Sequence, residues 1–290
     1  MFRVLILGSR GNLGSQLMDV FRRDYEVIGW DRDEIDITEY KKLEKSITNV
    51  EPDIIINTVA YNAVDKCEES EIELEKAREL NGEAVKKLAE ICLELDAVFI
   101  HYVSDYIFDG QKKEGYKEDD KPLPINKYGF TKLLGEQSVL ALHSQGLKYH
   151  LIRTSKLFGP SGESENSKPS FFDIMLERAK EKKPLKVVDN EKSCFTYTPD
   201  LAKATLNLLE DLNPYGIYHL VNEGPATWYE AALALFDVAH KTVEISPINS
   251  EDFSRSAKRP KYSILLNTKV KKLRYYEDAL KEYLDKFESL

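Results

Sequence analysis

Residues 2–14 read FRVLILGSRGNLG, and this stretch decides the fold. Phe2 to Leu7 is a short β-type run of apolar, β-favouring residues. Gly8-Ser9-Arg10-Gly11-Asn12-Leu13-Gly14 follows it, and a helical apolar pattern then runs through Leu17, Val20 and Phe21. Strand, glycine turn and helix in that order is the context in which a glycine motif acquires meaning. The glycines let the backbone turn tightly and approach a pyrophosphate, whose charge meets the helix N-terminus. Gly8, Arg10, Gly11, Asn12, Leu13 and Gly14 are therefore candidate dinucleotide contacts, although a plain glycine turn without ligand would read the same.

Glu26 to Trp30 is the second strand, ending at Asp31-Arg32. Asp31 falls close to the ~20-residue offset at which an acid takes the ribose hydroxyls of NAD. Arg32 beside it, helped by Arg10, suits the 2′-phosphate of NADP instead, so the cofactor is NADPH or NADH. Asp36-Ile37 comes next, where an acid either reaches the adenine amino group or caps the following helix. Pro52 to Asn57 (PDIIIN) is a continuous apolar run, as in a strand covered on both faces. Thr58 and Ala60 lie just beyond it, where a ligand rests in an open parallel sheet. A charged helix is expected from about Ile72 to Leu95, with Asn81 a surface polar residue and Lys86, Lys87 and Glu90 on a solvated face.

Ala97 to Val103 is the fourth strand and delivers Ser104, Asp105 and Tyr106 at its end. Ser104 either hydrogen-bonds a substrate carbonyl or caps a turn. After a loop over Asp109 to Lys121, Asn126 to Gln145 has helical periodicity and carries Tyr128 and Lys132. Residues four apart share a helix face, so phenol and ammonium stand side by side. A free Tyr titrates near ~10, and a neighbouring cation is expected to pull that value down, toward useful acid catalysis. Two surface residues at the same spacing would be commonplace.

A fifth strand at Leu147 to Arg153 precedes the polar stretch Gly159 to Pro169, read as a boundary or mobile loop. Further helices are expected around 171–180, 200–209, 227–240 and 275–287, with strands at 185–188 and 217–221. These elements predict an α/β protein: a Rossmann-type doubly wound parallel sheet with a smaller C-terminal substrate-binding lobe. Residues 1–158 would be the NAD(P)-binding domain and 159–290 mainly the substrate lobe, with some segments returning to the sheet.

The totals agree with a soluble enzyme. A formal charge of -9 and a pI near 5.3 argue against nucleic acid as a partner. No run nears the ~18 apolar residues of a membrane span, and Met1 to Leu7 is too short for a signal peptide. Cys67, Cys92 and Cys194 are widely spaced and lack metal-ligand spacing, which suits packing residues in a reducing cytoplasm, and no metal site is expected.

Ser104, Tyr128 and Lys132 behind a GxxGxxG turn resemble the extended short-chain dehydrogenase/reductase family, and within it the dTDP-4-dehydrorhamnose reductases. The resemblance runs along the chain through Pro52–Asn57, Ala63-Val64-Asp65 with Glu68, Ser104–Gly110, Asn126–Gly129, Leu151–Ser155, Tyr218-His219-Leu220, Thr227–Glu230 and Arg259-Pro260. It implies reduction of the C4 ketone of a nucleotide-linked deoxy sugar in dTDP-rhamnose biosynthesis. Tyr128 would be the proton donor, Lys132 the residue that lowers its pKa and binds the nicotinamide ribose, and Ser104 the hydroxyl on the carbonyl. Asp105 and Tyr106 would contact the sugar. A homodimer is compatible with it. It equally admits reduction or epimerisation of another nucleotide sugar, or a regulatory subunit like the β subunit of methionine adenosyltransferase. Two departures fall on the substrate side. Lys156 stands where the family usually has a sugar-stacking Trp, and Asn190-Glu191-Lys192-Ser193-Cys194-Phe195-Thr196 stands for its Asp-Gln-x-Gly-x-Pro-Thr. Lys156 is thus a candidate substrate contact with altered recognition.

Overall fold

The computed structural model describes residues 1–164 and 167–287; Glu165 and Asn166 of the expected polar loop lie outside them. The chain opens with β1 (Arg3–Leu7), α1 (Asn12–Phe21), β2 (Glu26–Trp30), α2 (Tyr40–Val50) and β3 (Ile54–Asn57). Next come α3 (Val64–Glu69), α4 (Glu71–Arg78), a π-helical turn (Glu79–Glu83) and α5 (Ala84–Glu94), so the expected long helix is present but carries one widened turn. β4 (Val98–Ser104), α6 (Lys127–Ala141) and β5 (Lys148–Thr154) complete the first half.

The second half contributes β6 (Leu157–Phe158), α7 (Phe171–Lys180), β7 (Leu185–Val188), β8 (Lys192–Ser193), β9 (Thr196–Tyr197) and α8 (Thr198–Glu210). It ends with β10 (Gly216–His219), β11 (Ala226–Thr227), α9 (Trp228–Val238), β12 (Ile245–Ile248), β13 (Tyr262–Ser263) and α10 (Tyr276–Phe287).

Six of these strands form one sheet in the order β2-β1-β3-β4-β5-β10, every neighbouring pair parallel. Alternation along β1 shows why both faces need cover. Leu5 and Leu7 join the core beneath α2, α5 and α6, whereas Val4 and Ile6 join the core beneath α1 and α8. Chain order reverses between β1 and β3, and the crevice beyond the carboxyl ends of strands at such a reversal is where doubly wound sheets bind ligands.

A separate aromatic core, including Phe158, Phe172, Phe195 and Tyr197, lies under α7, α9 and α10. The two halves are interleaved. β10 pairs with β5 and α8 packs on α1, so residues beyond 198 complete the sheet that the first half begins.

Candidate functional site

Gly8 follows β1 with φ +78°, a conformation that favours glycine, and a Cβ there would meet Thr58 Oγ1 at 2.6 Å. At Gly14 the constraint is approach: a Cβ would sit 2.0 Å from the Gly8 carbonyl oxygen. Gly11 precedes the first residue of α1, whose opening N–H groups have no carbonyl one turn back. Glycine cradle and helix N-terminus together fit a dinucleotide pyrophosphate. Leu13 is in the core and offers only its backbone. The Asn12 side chain is engaged elsewhere: Oδ1 accepts the Gly162 N–H at 2.9 Å and Nδ2 donates to the Lys168 carbonyl at 3.2 Å. The Ser164 N–H also reaches the Arg10 carbonyl at 2.9 Å, so Gly162, Ser164 and Lys168 of the second half are fastened to the glycine turn. The Thr58 hydroxyl likewise serves the turn, donating to the carbonyls of Leu7 and Gly8 at 2.8 and 3.1 Å. Ala60 is half-buried beside it.

Asp31 stands at the end of β2, where its oxygens accept the N–H groups of Arg10 (3.1 Å) and Arg32 (2.8 Å). The Arg10 guanidinium is held by Asp33 and Glu34 at 2.9 and 3.1 Å, while that of Arg32 is 76% exposed and lies 3.8 Å from Asp36. Asp36 is not the cap of α2. That helix starts at Tyr40, whereas Asp36 Oδ1 takes the Thr38 hydroxyl and N–H, a local turn. Ile37 is buried in the core and presents backbone alone.

Ser104 terminates β4, caps a short 3-10 turn by accepting the Tyr106 N–H at 3.2 Å, and donates to Asp105 Oδ1 at 3.1 Å. Of the two roles read from the sequence, the turn cap is present, and the hydroxyl proton is directed to Asp105. Tyr128 and Lys132 are one turn apart on α6, which Asn126 caps. The Asn126 side chain accepts the Gly129 N–H at 2.7 Å, and Glu68 takes the Lys127 N–H at 2.8 Å. Gly129 lets this helix press on the 3-10 turn, since a Cβ there would lie 2.1 Å from the Tyr106 carbonyl oxygen. Tyr128 packs edge-on against Tyr106 and donates to Asn62 Oδ1 at 3.2 Å. Lys132 Nζ donates to the Tyr102 carbonyl at 2.8 Å.

The expected depression of the Tyr128 phenol by Lys132 is not what the structure gives. Burial raises the phenol above its ordinary value, with the Ser104 hydroxyl drawing it partly back. The cation yields instead. Burial lowers Lys132 to about 8, against the opposing pull of Glu136 one turn further on.

Asp105, expected at the sugar, is 2% exposed and serves as a junction, accepting from Ser104 and from Ser263 Oγ at 2.5 Å. Tyr106 remains half-buried beside Tyr128. Lys156, expected at the substrate, has its Nζ 3.8 Å from the centroid of the Trp228 ring. Asn81 was missed. It is fully buried in the π-helical turn, where it accepts the Tyr61 N–H and donates to the Tyr61 carbonyl and the Thr131 hydroxyl at 2.9–3.1 Å. The signal was the small residues Gly82 and Gly135 around it: a Cβ on Gly135 would lie 2.2 Å from the Asn81 carbonyl oxygen.

A cleft of about 300 Å³ adjoins Tyr128's partner Asn62 and is lined also by Asp65, Lys66, Lys168 and Arg259. Arg259 grips Asp65 through Nη1 and Nη2, which holds the carboxyl down at about 2. A larger groove, about 960 Å³, lies at the other end of the sheet among Phe2, Asp53, Val98, Lys148 and Tyr215, remote from Ser104, Tyr128 and Lys132.

Comparison with known proteins agrees over nearly the full chain. The family described as RmlD substrate binding domain matches residues 2–289. The dTDP-4-dehydrorhamnose reductase of Aggregatibacter actinomycetemcomitans is 35% identical over 283 residues, 93% of this chain and 92% of the relative. The spore coat polysaccharide biosynthesis protein SpsK of Bacillus subtilis (strain 168) is 32% identical over 98% of this chain and 97% of its own length. Among solved structures, the dTDP-4-dehydrorhamnose reductase of Bacillus anthracis in complex with NADP superposes with a TM-score of 0.91 at 32% identity, covering 99% and 100% of the two chains. With a glycine cradle, the Ser104–Tyr128–Lys132 group and a match from residue 2 to 289, the chain belongs to the RmlD substrate-binding domain family, a branch of the extended short-chain dehydrogenases.

Proposed function

We propose that this chain reduces the C4 ketone of a dTDP-linked 6-deoxy sugar with NADPH or NADH, converting dTDP-4-dehydro-L-rhamnose to dTDP-L-rhamnose. The observation that carries this is the meeting of Ser104, Tyr128 and Lys132 at the carboxyl end of the sheet, on the same side as the glycine cradle. The dihydronicotinamide supplies hydride to the carbonyl carbon when bound. Tyr128 gives its proton to the carbonyl oxygen, and its raised pKa keeps that proton in place at neutral pH until the oxygen becomes basic. The phenolate left behind is stabilised by the Ser104 hydroxyl and the Lys132 ammonium, whose position is fixed by the Tyr102 carbonyl. Gly8, Gly11 and Gly14 hold the pyrophosphate, Asp31 the adenosine ribose, and Arg32 a 2′-phosphate if present.

The cleft beside Asn62 supports a diphosphate-bearing substrate, since Lys66, Lys168 and Arg259 face a single acid, Asp65. In this reading the cofactor rests on residues 1–158 and the sugar is recognised mainly by 159–290. The free thiols Cys67, Cys92 and Cys194 suit a cytoplasmic setting. The test is oxidation of NADPH and NADH in the presence of dTDP-4-dehydro-6-deoxy-L-mannose. Tyr128→Phe is expected to lower kcat by about 10²–10⁴ with cofactor affinity unchanged. Full activity in that variant would refute the proton-donor assignment.

A further inference from the structure

The two stretches that depart from the family pattern, Lys156 and residues 190–196, form one unit in space. Lys156 lies between β5 and β6 with φ 39°, in the left-handed region that residues with a Cβ rarely occupy. Its Nζ stands 3.8 Å from the Trp228 ring centroid and 5.2 Å from that of Phe195, so the ammonium is braced by aromatic faces. Trp228 is itself fixed, its Nε1 donating to Glu191 Oε2 at 3.2 Å. Arg255 holds the same carboxylate through both of its oxygens.

Lys156 is also tied electrostatically to the catalytic side. The Asp105 carboxylate, bonded to Ser104, acts on it together with Glu191, while burial lowers the ammonium to about 8. An ammonium carries three donors. Among the described residues, no hydrogen bond or ion pair ends on Lys156 Nζ, and a ring face does not satisfy a directed donor. The local formal charges already balance, with Lys156 and Arg255 against Asp105 and Glu191. An incoming anion would upset that balance, whereas a neutral oxygen acceptor would not.

We propose that Lys156 is a specificity-determining residue whose ammonium, braced on Trp228, donates a hydrogen bond to a neutral hydroxyl oxygen of the sugar that Tyr128 protonates. The inference rests on the reductase reading above. A sugar lacking that hydroxyl leaves a desolvated ammonium without an acceptor, and sites built to hydrogen-bond a hydroxyl reject such analogues strongly. The chain therefore selects by an oxygen where a stacking ring would select by the apolar face of the sugar.

The experiment compares wild type, Lys156→Met and Lys156→Gln with NADPH and three sugars: dTDP-4-dehydro-6-deoxy-L-mannose and its 2-deoxy and 3-deoxy counterparts. Wild type is expected to prefer the fully hydroxylated sugar over one deoxy analogue by about 10- to 100-fold in kcat/KM. Lys156→Met should lose that preference through a raised KM, with kcat and the Kd for NADPH little changed. Lys156→Gln, which keeps a donor, should retain part of it, and it replaces Met as the decisive variant if Met does not fold. Wild-type KM should rise above pH 8 as the ammonium deprotonates, and the Met variant should lack that rise. Turnover with equal preference in all three proteins would overturn the role of Lys156 and leave the reductase reading standing. Binding of NADPH without oxidation by wild type on any of the sugars would overturn the reductase reading itself.

Discussion

Arg153 is among the largest side chains withdrawn from solvent, and its removal gives the sharpest forecast. Its Nε and Nη2 clasp the two oxygens of Glu136 at 2.9 and 2.6 Å, and Nη1 donates to the Glu118 carbonyl at 3.1 Å. Arg153 and Glu136 are each 1% exposed. In Arg153→Met the Glu136 carboxylate is stranded in the interior, and breaking a buried pair this way costs about 3–5 kcal/mol. Unfolding entropy near ~2.1 cal/mol/K per residue makes each kcal/mol worth roughly 1.6 °C in a chain of this length, so Tm should fall by about 5–8 °C. Replacing both members, Glu136→Leu with Arg153→Met, removes the stranded charge and should recover part of that loss, as apolar substitutes for buried pairs commonly do. Scanning calorimetry of the parent, both single variants and the double decides the matter. A drop under 2 °C in Arg153→Met, or a double variant as unstable as the two single losses added together, would refute the argument. Glu136→Gln has a kinetic readout as well. Glu136 opposes the fall in Lys132's proton affinity, so the alkaline limb of kcat/KM should move to lower pH.

Two further outcomes follow from groups already located. His150 is buried beside Tyr215 and Tyr218 and lowered by burial to about 4; the unfolded chain therefore binds the extra proton between pH 6.5 and 4, and about 3 kcal/mol should be lost as pH falls through that window, a slope that His150→Phe should make shallower in pH-dependent urea unfolding. Arg32→Ala should raise KM for NADPH about tenfold and leave KM for NADH nearly unchanged, and equal effects on both cofactors would remove Arg32 from the 2′-phosphate.

The parallel sheet was legible because its strands are short and mostly apolar, III at 54–56 and VLIL at 4–7 among them, punctuated by glycine and charge. Ser104, Tyr128 and Lys132 were legible because each sits at a strand end or a helix spacing that sequence reveals directly. Less visible was what each side chain does once neighbours arrive. Asn12 and Thr58 look like cofactor ligands in isolation, yet their polar atoms brace the glycine turn. Asn81 reads as a surface residue because the adjacent Gly82 does not by itself announce a π-helical turn, whose extra residue turns the Asn81 amide inward. The upward shift of Tyr128 escapes the sequence for the same reason: adjacent charge can be read from spacing, burial cannot.

The interleaving of the halves also orders events during synthesis. The sheet edge at β5 waits for β10, and the layer over α1 waits for α8. From the end of β5 at Thr154 to the end of β10 at His219 the ribosome must add roughly 65 residues, about 3–13 s at ordinary elongation rates. Throughout that interval the nascent chain holds its glycine turn and its Tyr128 helix without the layer that buries one face. Cofactor capture should therefore come late on the ribosome, and a nascent chain stalled before residue 198 is the form most exposed to chaperones and to aggregation.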